Sequence, residues 1–160
     1  PGEPDVIADV LCPFYSHCSV LAFVEVVRKT INSIHYLTVD GKDIPVHETE
    51  FARDSVFGYS YSYLPDYVEE KTRGRIKASQ VERFDLQDVR GDSLSRLLAL
   101  QDNVCCVVDG ETQDAHNYFC SQLMQAAQQG KRFLLRSAAR LVTALAQSLP
   151  QPKVAAKMRE

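Results

Sequence analysis

From Ser93 onward the chain alternates helical patterns with short apolar runs, and few folds accept that alternation. Leu94, Leu97, Leu98 and Leu100 fall on one helical stripe within Ser93 to Leu100. Val104 to Val108 is an apolar run of strand length, and Gln113 to Gln129 reads as a helix stopped by Gly130. Phe133 to Leu135 then reads as a strand and Ser137 to Leu149 as a helix. Short apolar strands separated by helices join one sheet through right-handed crossovers. The expected class is therefore α/β, a mostly parallel sheet flanked by helices.

The first half is less uniform. Val6 to Cys12, β-branched and closed by Pro13, predicts a buried strand, whereas Val20 to Lys29 fits either a helix or a strand. Ile34 to Val39 and Ile44 to Val46 flank Asp40-Gly41, which predicts a β-hairpin insertion near residues 34–46. Phe57 to Tyr63 is aromatic and serine-rich with no helical period. Leu64-Pro65-Asp66 can open a helix with proline in its first turn, and that helix should stop near Gly74. The expected domain spans 1–149, and 150–160, starting at Pro150-Gln151-Pro152, reads as a tail or truncated linker.

At 160 residues, with 45% hydrophobic and 24% charged side chains, one ordinary folded domain is expected. A formal net charge of -3 argues against nucleic acid or an anionic membrane as the main partner, because both need a basic field. No apolar run reaches membrane-spanning length, and Pro1-Gly2-Glu3-Pro4-Asp5 lacks the features of a secretory leader. Five cysteines without C-x-x-C spacing fit neither a disulfide framework nor a zinc site. Reduced thiols, a cytoplasmic location and no resident metal are the expectation.

Ligands of open parallel sheets sit beyond the carboxyl ends of the strands. Two such ends are visible, Asp109-Gly110-Glu111-Thr112 and Arg136-Ser137-Ala138-Ala139. At the second, a fixed cation, a hydroxyl and the N–H groups of a helix start would together suit a carboxylate or phosphate. Ser137 could equally cap its helix while Arg136 pairs with an acid such as Asp109. Asp109 fits a base or a hydroxyl acceptor, and equally an Asp-Gly turn. Glu48 to Asp54 reads as a solvated turn with local ion pairs. His17-Cys18 and His35 suggest a thiol hydrolase or a metal site, with no supporting motif. Neither G-x-x-x-x-G-K-[ST] nor G-x-G-x-x-G occurs, so the chain has no evident nucleotide cradle.

Several segments resemble a known family in order and spacing. They are Thr30 to Tyr36, Pro45 to Asp54, Phe57-Gly58-Tyr59, Leu64 to Thr72 and Gly130 to Ala139, within a stretch from Thr30 to Ala146. Together they resemble the four-carbon acid sugar kinases, and the match is to the later part of those enzymes' N-terminal, substrate-binding domain. The resemblance implies two-domain α/β enzymes whose N-terminal domain holds threonate, erythronate or 3-oxo-tetronate. Their C-terminal domain holds ATP with magnesium. The nucleotide domain is not expected in this chain, which alone would not complete phosphoryl transfer.

Two departures stand out. Where the family has an Ala-Asp-Asp turn, this chain has Ile7-Ala8-Asp9-Val10; where it has a Gly-Gly-Arg loop, Arg28 is the only counterpart, after the long apolar segment Tyr15 to Val27. The resemblance implies that Arg136 and Ser137 hold the carboxylate and hydroxyls of a small sugar acid. Arg28 would assist if its loop folds back over the sheet end, and Asp109 would accept from a hydroxyl. The alternative is a non-catalytic ligand-binding or interaction module that kept the fold. Assembly into a homo-oligomer is left open.

Overall fold

The computed structural model describes residues 18–22, 27–56, 58–137 and 139–148; the strand expected at Val6 to Cys12 lies outside them. Among the described residues, seven strands form two sheets. The larger is parallel, with order β5 (Glu82–Phe84), β6 (Cys105–Val108), β1 (Cys18–Ala22) and β7 (Phe133–Ser137). The smaller is an antiparallel meander of β2 (Arg28–Ile31), β3 (Ile34–Val39) and β4 (Lys42–Pro45). Among the described residues five α-helices accompany them: α1 (Leu64–Lys71), α2 (Leu86–Arg90), α3 (Leu94–Ala99), α4 (Gln113–Gln128) and α5 (Ala139–Ser148). The expected α/β architecture is the observed one.

Successive strand residues point to opposite faces, and this alternation divides the core in two. Ala22, Cys106 and Val108 face Phe119, Leu123 and Leu141 of the α4/α5 layer. Leu21, Cys105 and Val107 face Leu64, Tyr67 and Val68 of α1. β6 is buried on both faces, which is why its sequence is a continuous apolar run rather than an alternating one.

The Asp40-Gly41 hairpin forms as expected, with φ of 49° and 75° matching a two-residue turn of left-handed residues. The meander is larger than the expected hairpin, because a second tight turn at Asn32-Ser33 (φ 50° and 64°) adds β2. Within the ambiguous Val20 to Lys29 segment, Val20 to Ala22 belong to β1 and Arg28 and Lys29 to β2. α1 opens at Leu64-Pro65 and its chain reversal ends at Gly74 (φ 79°). β5 and α2 had no sequence expectation. α2 is started by Asp85, whose Oδ1 accepts the N–H groups of Gln87 and Asp88 at 2.8 and 2.9 Å.

One correction concerns the last strand. β7 runs two residues past Leu135, so Arg136 and Ser137 pair with Leu21 and Ala22 inside the sheet, and α5 begins only at Ala139. Neither residue belongs to a helix start. The parallel ladder with β1 continues through both and holds them extended.

Candidate functional site

The meander is tied to the parallel sheet at its Asn32-Ser33 turn. Thr30 and Gly110 exchange both backbone hydrogen bonds at 2.9 Å, joining β2 to the residue after Asp109. Ser33 N–H donates to Asp109 Oδ1 at 2.8 Å, while Ser33 O accepts from Leu64 N–H at 2.8 Å. Arg83 Nε donates to Ser33 Oγ at 2.7 Å. One turn is thus held by β6, β5 and the start of α1 together.

That joint places the first residue of β2 and the end of β7 around a common cavity of about 220 Å³. Arg28 and Arg136 both line it. Its remaining walls are His35 on β3, Val46, Leu64 and an aromatic set of Phe51, Tyr59, Tyr61 and Tyr67. An open vestibule of about 520 Å³ leads from it past Glu50, Arg53 and Asp54. This arrangement suits a small anion with an apolar backbone, since a few placed cations fix orientation while aromatic walls exclude water.

The two cations stand differently. Arg136 lies with its guanidinium 5.6 Å from the centre of the Tyr67 ring. Arg28 lies 5.5 Å from the centre of Phe51, and its Nη1 donates to His35 Nε2 at 3.2 Å. Neither has a carboxylate within ion-pair distance among the described residues. Both positive charges remain available to a ligand carboxylate.

His35 is 5% exposed, and its Nδ1 lies 3.2 Å from Thr30 Oγ1. Burial, helped by the Arg28 charge, lowers its pKa to about 4, so the ring is neutral. Tyr59 titrates above the usual phenol range because it is half-buried. The loop carrying the aromatics is pinned to α1: Lys71 Nζ donates to Gly58 O at 2.7 Å and Ser60 N–H to Glu70 Oε2 at 3.0 Å.

The four candidate residues from the sequence separate in space. Arg28 and Arg136 meet at the cavity although 108 positions apart. Ser137 is not among the residues lining it, for a simple reason. Arg136 is level with Leu21 and Val107 on the α1 face, whereas Ser137 is level with Ala22 and Val108 on the α4/α5 face.

Asp109 is also absent from the lining. It is 1% exposed, accepts the Ser33 turn N–H and leaves Oδ2 buried without a partner among the described residues. Desolvation raises its pKa against the opposing pull of the Ser33 and Asn32 N–H groups and Arg83. Asp109 pins the β2–β3 turn.

Sequence reasoning missed the aromatic wall. The cluster from Phe57 to Tyr63 was visible as composition, yet no local period shows which rings converge. It also read His35 as part of a thiol hydrolase or a metal site, whereas its ring nitrogens contact Arg28 and Thr30. Cys105, Cys106 and Cys120 are buried, and burial pushes the Cys105 and Cys120 thiols up to about 12, far from thiolate chemistry. Among the described residues no group of His, Cys, Asp and Glu could hold a metal ion, and no helix is long and apolar enough to cross a membrane.

Comparison with known proteins bears on this geometry. Residues 1–145 match the family model described as the sugar-binding N-terminal domain. A comparison with curated proteins gives no match.

Proposed function

The chain belongs to the sugar-binding N-terminal domain family, and from that membership we propose that the cavity between Arg28 and Arg136 holds a small sugar acid of the threonate, erythronate or 3-oxo-tetronate type. One observation carries this reading. Two guanidinium groups from different sheets line the same small aromatic cavity with no carboxylate partner among the described residues. A planar guanidinium forks onto a carboxylate through two parallel N–H donors, which a neutral sugar could not exploit. The rings of Tyr59, Tyr61 and Tyr67 offer flat apolar faces to the carbon chain, and the tyrosine hydroxyls offer partners to its alcohols.

In the fuller form of the proposal the chain is the substrate-binding part of an ATP-dependent kinase that phosphorylates a terminal hydroxyl of that acid. The resemblance of the Thr30 to Ala146 segments to four-carbon acid sugar kinases supports it. Its own share of the chemistry is binding and orientation, which hold the acid so that one hydroxyl is presented in a fixed direction. The sequence has neither a G-x-x-x-x-G-K-[ST] nor a G-x-G-x-x-G loop, and among the described residues no group of three or more His, Cys, Asp and Glu could hold a metal ion. In this reading the nucleotide is held elsewhere.

Thermal unfolding with threonate, erythronate and their neutral polyols tests the assignment. Binding to the folded state alone should raise the unfolding temperature, with stabilisation of about 2.7 kcal/mol at a hundred times the dissociation constant. The shift should appear with an acid, be absent with threitol and erythritol, and disappear in Arg136→Ala. No shift with any acid would instead support a non-catalytic interaction module that kept the fold.

A further inference from the structure

The contacts of His35 go beyond lining the cavity. An arginine only donates, so the 3.2 Å contact between Arg28 Nη1 and His35 Nε2 requires a lone pair on Nε2. The single proton of the neutral ring is then on Nδ1, where Thr30 Oγ1 at 3.2 Å accepts it. Thr30 is completely buried and its backbone is locked to Gly110 in both directions, so this chain of contacts ends on the parallel sheet itself. Phe51 stacks on the same guanidinium. A long side chain that would otherwise sample many rotamers is thus held at the cavity wall by a fixed acceptor and a ring.

We propose that His35 is the positioning residue of this cavity: held on its Nδ1 side by Thr30 and presenting the lone pair of Nε2, it aims the Arg28 guanidinium so that its remaining N–H groups meet the carboxylate of the bound sugar acid. The proposal rests on the sugar-acid reading given above. Its physical content is preorganisation, in which ordering of the arginine precedes binding and is not charged against affinity. It assigns His35 no proton transfer and no contact with the ligand.

Calorimetric titration of the full chain with threonate tests it, using two isosteric partial replacements. Glutamine carries its amide oxygen about as far out as Nε2, whereas asparagine carries it about as far as Nδ1. His35→Gln should therefore keep the acceptor for Arg28 and bind within about threefold of wild type. His35→Asn and His35→Leu should each weaken threonate about tenfold. In an Arg28→Ala background all three substitutions should lose their effect, because nothing remains to be aimed. A merely structural role for His35 would persist in that background, and thermal melts of each variant confirm that it is folded.

The proposal is overturned if His35→Leu binds as wild type, if Gln and Asn behave alike, or if the loss is the same with and without Arg28. Those results leave the sugar-acid reading intact provided that Arg136→Ala abolishes binding. Absence of threonate binding by the wild type removes that reading, and this proposal with it.

Discussion

Asp109 shows how one carboxylate can look functional in a sequence and act as a fastener in the fold. It sits at a strand end, where ligands of parallel sheets gather, yet it is buried and accepts the Ser33 N–H. Desolvation raises its pKa, so the native state favours the protonated form, and its contribution to stability declines as pH rises through the raised value. Asp109→Asn keeps the acceptor and removes the charge. Urea unfolding should show stability within about 1 kcal/mol of wild type at pH 7, with the difference moving in favour of Asn as pH rises from acid. Asp109→Ala leaves the Ser33 N–H unpaired and should cost about 2 kcal/mol at acid pH, and less as pH rises through the raised pKa of Asp109. The neighbouring pair Arg136 and Ser137 makes a second residue-scale test. Adjacent strand positions face opposite layers, so Ser137→Ala should bind threonate within about twofold of wild type, while Arg136→Ala abolishes detectable binding. Titration of both variants checks it.

At the scale of elements, the site depends on turns and short segments more than on long helices. The loop from Glu50 to Tyr63 supplies most of the aromatic wall and has little regular structure beyond the short 3-10 turn Glu50–Arg53. Gly58 is its tightest point. Its N–H donates to Asp54 O at 3.0 Å, and a Cβ there would collide with Asp54 O and lie 2.8 Å from Ala52 O, both backbone atoms that cannot swing away. Gly58→Ala should therefore cost about 1–3 kcal/mol in urea unfolding and also weaken threonate, because Tyr59 moves with the loop. The Asp40-Gly41 hairpin was legible because its chemistry is local, an Asp-Gly pair between two apolar runs. The Asn32-Ser33 turn was not, since it forms the same kind of turn without glycine and is held in place by Asp109, 76 positions away. β5 escaped notice because it is three residues long and buries only Phe84.

At the scale of the whole molecule, two buried histidines couple stability to pH. His35 and His116 both have pKa values lowered to about 4 from 6.5, in each case first by burial. Between those values the unfolded chain binds protons that the native rings refuse, so stability falls as pH falls from 6.5 toward 4. The slope is up to about 1.4 kcal/mol per pH unit for each histidine. His116 has both ring nitrogens buried without a partner among the described residues. His116→Leu should remove part of that slope, and denaturant unfolding at pH 5 and pH 7 measures it. Local pattern in the sequence determined the α/β class, the Asp40-Gly41 hairpin, α1 and the alternation after Ser93, because apolar period and turn residues act over a few positions. It also marked Arg136 as a candidate cation, while Arg28 was marked only by the resemblance to the four-carbon acid sugar kinases. Only the tertiary structure decided that these two share one cavity, that Ser137 turns to the opposite layer, that Asp109 clamps a turn, and that His35 holds Arg28. The physical reason is pairing. Strand register sets which residues are level and which face each one takes, and register between β1, β6 and β7 is a property of the folded sheet that no single segment encodes.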